Sequence, residues 1–144
     1  MSTILISSDE DILLENNKQL RINRAVAIRL ATAMGYETTT SLPAGGSLLE
    51  QNHLLMMANQ WLFKTIAVKV GADIAPMLPT MGSLAQQNHA LLVENQKTCR
   101  AILKAIGLEA ENKFPTHGTL LEKDHEILKQ NSSFLLKIAE AFDL

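Results

Sequence analysis

Cysteine occurs once, at Cys99, in a chain of 144 residues. A single thiol forms no internal disulfide, so the fold cannot rest on cross-links and a reducing compartment suits it. Aromatic residues make up only 4%, with 4 prolines and 7 glycines. Sandwiches and barrels are rich in aromatic and β-branched strands punctuated by Gly and Pro turns, so this composition speaks against an all-β sandwich or barrel. Charge of one sign is missing too. The 13 basic side chains face 15 acidic ones, a net charge of −2, and no whole-molecule field points to nucleic acid or an anionic membrane. The longest apolar stretch, residues 54–70, is broken by Asn59, Gln60, Lys64 and Lys69, whereas a spanning helix needs ~20 mostly apolar residues. No basic segment precedes an apolar one at the N-terminus, so no secretory leader is expected. A cytoplasmic protein without a membrane partner is the expectation. The apolar fraction of 47% against 19% charged is enough at this length for one domain with its own core, without metal.

What the chain has instead is internal repetition, the feature that most constrains a fold. Leu42-Pro43, Leu78-Pro79 and Phe114-Pro115 lie 36 residues apart. So do Gly46, Gly82 and Gly118, then His53, His89 and His125, then Asn59, Asn95 and Asn131. A more diverged first copy keeps the frame: Asp11 stands where Ser47 does, Asn16 where Asn52 does, Asn23 where Asn59 does and Gly35 where Gly71 does. The chain reads as a single domain of four tandem units, 6–41, 42–77, 78–113 and 114–144.

Each unit carries the marks of one helix. Ser47 with Glu50, Ser83 with Gln86 and Thr119 with Glu122 are capping boxes, and Asp11 is the expected N-cap of the first helix. Gly35, Gly71 and Gly107 stand where a left-handed residue ends a helix, with Asp143 in the last copy. Helices are expected near 11–34, 47–70, 83–106 and 119–142. The apolar phase runs unbroken through each. In the second copy Leu48, Leu49, Leu55, Met56, Leu62, Phe63, Ile66 and Val70 form one stripe, and Leu120, Leu121, Ile127, Leu128, Phe134, Leu135, Ile138 and Phe142 repeat it in the fourth. The reading is an all-α fold of four long helices with structured linkers, arranged as an up-down four-helix bundle. A helical-hairpin solenoid, with a turn at each mid-helix Asn, is the alternative. The linkers exceed the ~2–8 residues usual between antiparallel neighbours. An all-parallel arrangement would need each linker to span a helix at ~3.3 Å per residue, and it ranks below the up-down order.

The same phase sets Asn23, Asn59, Asn95 and Asn131 in the apolar seam near each helix midpoint, as a buried polar layer. Asn16, Asn52, Asn88 and Asp124 lie one heptad before them. Seam asparagines fix register in coiled coils, and a polar ligand site in the core is the second reading.

Other motifs carry less. Glu50-Gln-Asn-His53 and Glu122-Lys-Asp-His125 have the Glu-x-x-His spacing of di-iron bundles, but their phase turns them from the apolar stripe, and the third copy has Gln86. No metal and no cofactor are expected. Ala44-Gly45-Gly46-Ser47 opens a helix but lacks the Lys of a nucleotide loop. Lys18, Arg21 and Arg24 form a basic stripe on the first helix with Arg29 nearby, which supports a DNA-binding alternative; nucleic acid is not the expected partner. No arrangement of nucleophile, base and carboxylate emerges, so no enzyme and no catalytic residue are expected. The second helix stands out: Leu54, Met57, Trp61 and Val68 lie opposite its core stripe. A helix apolar nearly all round calls for a cover. A protein–protein interaction or self-assembling adaptor role follows, with these four residues meeting another protein or a second copy in a homo-oligomer.

Overall fold

Among the described residues the secondary structure is four helices: α1 (Asp9–Ala33), α2 (Leu48–Val70), α3 (Leu84–Ala105) and α4 (Leu120–Ala141). They are seen in a computed structural model that describes residues 9–38, 45–72, 74, 81–110 and 114–144. The Leu42-Pro43 and Leu78-Pro79 anchors lie outside the described residues. Of the third pair, Phe114 is exposed and Pro115 half-buried.

The helix ends follow from the cap chemistry. Ser47 Oγ accepts from the amide of Glu50 at 3.1 Å while Glu50 Oε1 accepts from the Ser47 amide at 3.3 Å. Ser83 with Gln86 and Thr119 with Glu122 do the same. These bonds satisfy amides that a helix start leaves without partners. Asp11 does not cap α1: the helix begins at Asp9, and Asp9, Glu10 and Asp11 all lie in its first turn, where carboxylates favour the positive end of the helix dipole. At the other ends the chain turns left-handed and folds back. Gly71 has φ 78°, and the next amide, Ala72, reaches the Ala67 carbonyl at 2.8 Å. Asp143, with φ 58°, makes the same turn without being glycine, and Leu144 bonds Ala139 at 2.8 Å. Each unit is one continuous helix through its central Asn, so the hairpin solenoid does not occur.

The four helices form a closed ring. α1 packs on α2, α2 on α3, α3 on α4 and α4 back on α1. The up-down order is incorrect: all four helices run the same way. Asn52 Nδ2 donates to the Leu13 carbonyl and Asn59 Nδ2 to the Leu20 carbonyl, so both partners advance together along α1 and α2. Asn88 to Leu49 and Asn95 to Met56 repeat this step between α2 and α3. The His89–Asp124 contact lies at the matching level of α3 and α4. The physical reason is the seam. One face of each helix carries the group that meets the other face of the next, and units of one phase can repeat that match only if every helix points the same way. The linkers, too long for tight turns, suit this return: a helix of 22 residues is about 33 Å long, and the chain from Val70 to Leu84 reaches over 40 Å when extended.

Two apolar clusters fill the interior. Leu20, Leu55, Met56, Leu91, Leu92, Ile127 and Leu128 form the one nearer the helix starts. Leu30, Leu62, Phe63, Ile66, Ile102, Leu103, Leu135 and Ile138, with neighbours, form the other. Tyr36, Ala72, Ile74 and Ala110, just past the helix ends, pack on the second.

Candidate functional site

Between and below these clusters lie two polar layers. The lower one is a ring that crosses all four seams. Asn17 Nδ2 on α1 donates to Asn52 Oδ1 on α2 at 2.9 Å. His53 on α2 meets Asn88 on α3 at 2.7 Å, His89 on α3 meets Asp124 on α4 at 2.7 Å, and His125 on α4 meets Asn16 on α1 at 3.0 Å. The proton positions follow from the partners. Asn88 has its Nδ2 committed to the Leu49 carbonyl, so Oδ1 faces His53 and can only accept. Nδ1 of His53 therefore carries the hydrogen. The three histidines do not face away from the bundle; each meets a side chain of the next helix. Each is half-buried against the next helix. Asp124 alone replaces Asn in this ring. Burial pushes its carboxyl up to about 6 from an ordinary 3.8, and the bond and charge of His89 offset only part of that.

The upper layer is Asn23, Asn59, Asn95 and Asn131, each no more than 2% exposed. It separates the two apolar clusters. Asn59 and Asn95 hold the preceding helix through the Leu20 and Met56 carbonyls, at 3.2 and 3.4 Å. Asn23 Oδ1 accepts from Gln19 Nε2 at 3.0 Å. Beside the layer, Gln96 Nε2 donates to Gln130 Oε1 at 2.6 Å. Cys99, buried in the second cluster, has its thiol pushed well above the usual range, so it is no nucleophile.

The outer face of α2 carries four exposed apolar side chains, with Lys64 between the last two. Leu54 is 53% exposed, Met57 37%, Trp61 59% and Val68 62%. At the matching levels α1 carries Lys18, Arg21, Ala25 and Thr32, and α4 carries Glu126, Lys129, Ser133 and Glu140. A groove of about 550 Å³, open to solvent, runs along the α1–α2 seam beside Trp61. Arg24, Glu37, Thr38, Ala58 and Leu62 complete its lining. Sequence reading missed this groove, because Glu37 and Thr38 enter it only through the fold. Arg24 also corrects the basic stripe. It is 5% exposed, and burial lowers its pKa. Arg21 Nε donates to Asn17 at 2.8 Å and Lys18 pairs with Glu15 at 3.6 Å. Of the row, Arg24 is thus turned into the protein, while Lys18 and Arg21 each have a partner on their own helix.

Among the described residues no cluster of three or more His, Cys, Asp or Glu side chains could hold a metal ion. No described helix is long and apolar enough to cross a membrane. No family model matches the chain, and no curated protein and no solved structure matches it either.

Proposed function

We propose that the protein is a non-enzymatic contact module that binds another protein, or a second copy of itself, through the outer face of α2. The observation that carries this reading is the row Leu54, Met57, Trp61 and Val68, exposed on one helix while matching positions of α1 and α4 are mostly polar or small. Single exposed apolar side chains are ordinary, but several on one helix face around a Trp are what interface hot spots are made of. The adjoining groove adds a concave wall for a partner side chain, with the buried Arg24 lining it. The rest of the molecule is suited to being a rigid holder: four seams, each crossed by polar bonds. In the same reading the four units descend from tandem duplication, and α2 is the copy that has kept or gained a binding face. One buried cysteine fits a cytoplasmic setting.

The test is the mass in solution. Sedimentation equilibrium of the wild type from about 1 to 500 µM should show concentration-dependent association, or a partner should be retained on an immobilised chain. Trp61→Glu should keep the helix content, because Trp61 is outside the core, and should lower the mass or abolish capture. A wild type that stays monomeric throughout, with partner capture indifferent to Trp61→Glu, sinks the reading.

A further inference from the structure

The layer of Asn23, Asn59, Asn95 and Asn131 has more acceptor capacity than the protein itself fills. The Nδ2 groups of Asn59 and Asn95 are committed to backbone carbonyls of the preceding helices. Carbonyl oxygens only accept, so neither side-chain amide can be turned round. The Oδ1 atoms of Asn59, Asn95 and Asn131 are left buried without a hydrogen-bond donor. Asn23 Oδ1 has one donor, from Gln19, and a second lone pair. The four residues stand at one level on four parallel helices in a closed ring, so their side chains belong to one buried layer between two apolar clusters. A buried polar atom without a partner is unfavourable, because it has given up its hydrogen bonds to water. Three in one layer, at the same repeat position, form a built feature rather than a packing fault.

The chemistry of the layer narrows what meets it. The oxygens are hard, neutral acceptors, and the amide donors of Asn59 and Asn95 are turned to the backbone, so an anion is disfavoured. No carboxylate lies in the layer, so a divalent ion would be left with its charge uncompensated. We propose that the layer binds one dehydrated monovalent cation, potassium or sodium, on the side-chain carbonyl oxygens of Asn59, Asn95 and Asn131, with Asn23 as the fourth ligand. Two charges tune the site. Asp124 lies one heptad nearer the helix starts, about 10 Å along the axis, and its ionised form favours a cation. Arg24 follows Asn23 and opposes one, although it also lines the outer groove beside Trp61.

The experiment is thermal unfolding of the wild type in potassium chloride, sodium chloride and N-methylglucamine chloride at one ionic strength. A cation that binds only the folded state raises the midpoint with its concentration. The expected result is a midpoint several degrees higher in potassium or sodium than in N-methylglucamine. Arg24→Gln, which installs the residue found at 60 and 96, should steepen the dependence. The double variant Asn59→Leu/Asn131→Leu, which extends the apolar seam, should stay folded and lose it. Equal wild-type midpoints in all three media overturn the proposal and leave the oxygens to water. A cation dependence that survives unchanged in the double variant also overturns it, because the ion would then sit elsewhere.

Discussion

His125, in the second turn of α4, hydrogen-bonds Asn16 of α1 at 3.0 Å across 109 residues of chain. It repeats between the last helix and the first the bond that His53 makes to Asn88 between neighbours in sequence. Through it the row of helices becomes a ring, with no seam left as an edge.

The closing seam should be measurable by itself. His125→Ala leaves Asn16 Oδ1 without its donor, and the expected loss is about 1–3 kcal/mol in urea unfolding. Amide exchange should speed up first at the start of α4. A loss below about 0.5 kcal/mol would mean that water replaces the imidazole without penalty.

Asp124 makes the ring sensitive to pH. Its folded pKa of about 6 lies above the ordinary 3.8, so the folded state prefers the protonated carboxyl. Its contribution to stability is complete below about pH 4 and is lost as pH rises through 6. Asp124→Asn keeps an acceptor for His89 and matches Asn16, Asn52 and Asn88. It should stabilise the protein at pH 7–8 by on the order of 1–3 kcal/mol and flatten the decline between pH 4 and 7. A variant less stable than wild type at pH 8 would contradict this sign.

The helix ends predict two losses of different origin. Ser83→Ala removes the oxygen that accepts from Gln86 and should lower stability by about 1 kcal/mol. Gly71→Ala meets no atom within 4 Å, yet its φ is 78°. Its loss of roughly 1 kcal/mol is therefore purely backbone strain. Thermal unfolding of the two variants and their double should show the losses adding, because the sites lie at opposite ends of different helices.

Helix direction can be read as a distance. Spin labels at positions 50 and 86, both exposed near the starts of α2 and α3, should lie roughly 10–20 Å apart, since packed helices sit 8–10 Å axis to axis. An up-down order would add about 30 Å of helix. Cys99 is fully buried with a raised thiol pKa and should stay unlabelled.

Local chemistry determined the elements. The Ser47, Ser83 and Thr119 caps, the left-handed turns at Gly35, Gly71, Gly107 and Asp143, and an apolar phase running unbroken past each central Asn define four helices to within two residues, because each signal acts within one or two turns of its own chain. The burial of Asn59 and Asn95 followed from the same phase. Helix direction did not, because an apolar stripe of given phase packs equally well against a parallel or an antiparallel neighbour. Direction was decided where residues 35 and 39 apart meet: the imidazole of His53 on Asn88, the amide of Asn59 on the Leu20 carbonyl. Those bonds exist only once two helices share a seam, and only the closed parallel ring lets all of them form together. Tertiary structure likewise sent Arg24 inward, away from the stripe that its spacing to Arg21 suggested, and set it beside Trp61, whose exposure no neighbour in the ring removes.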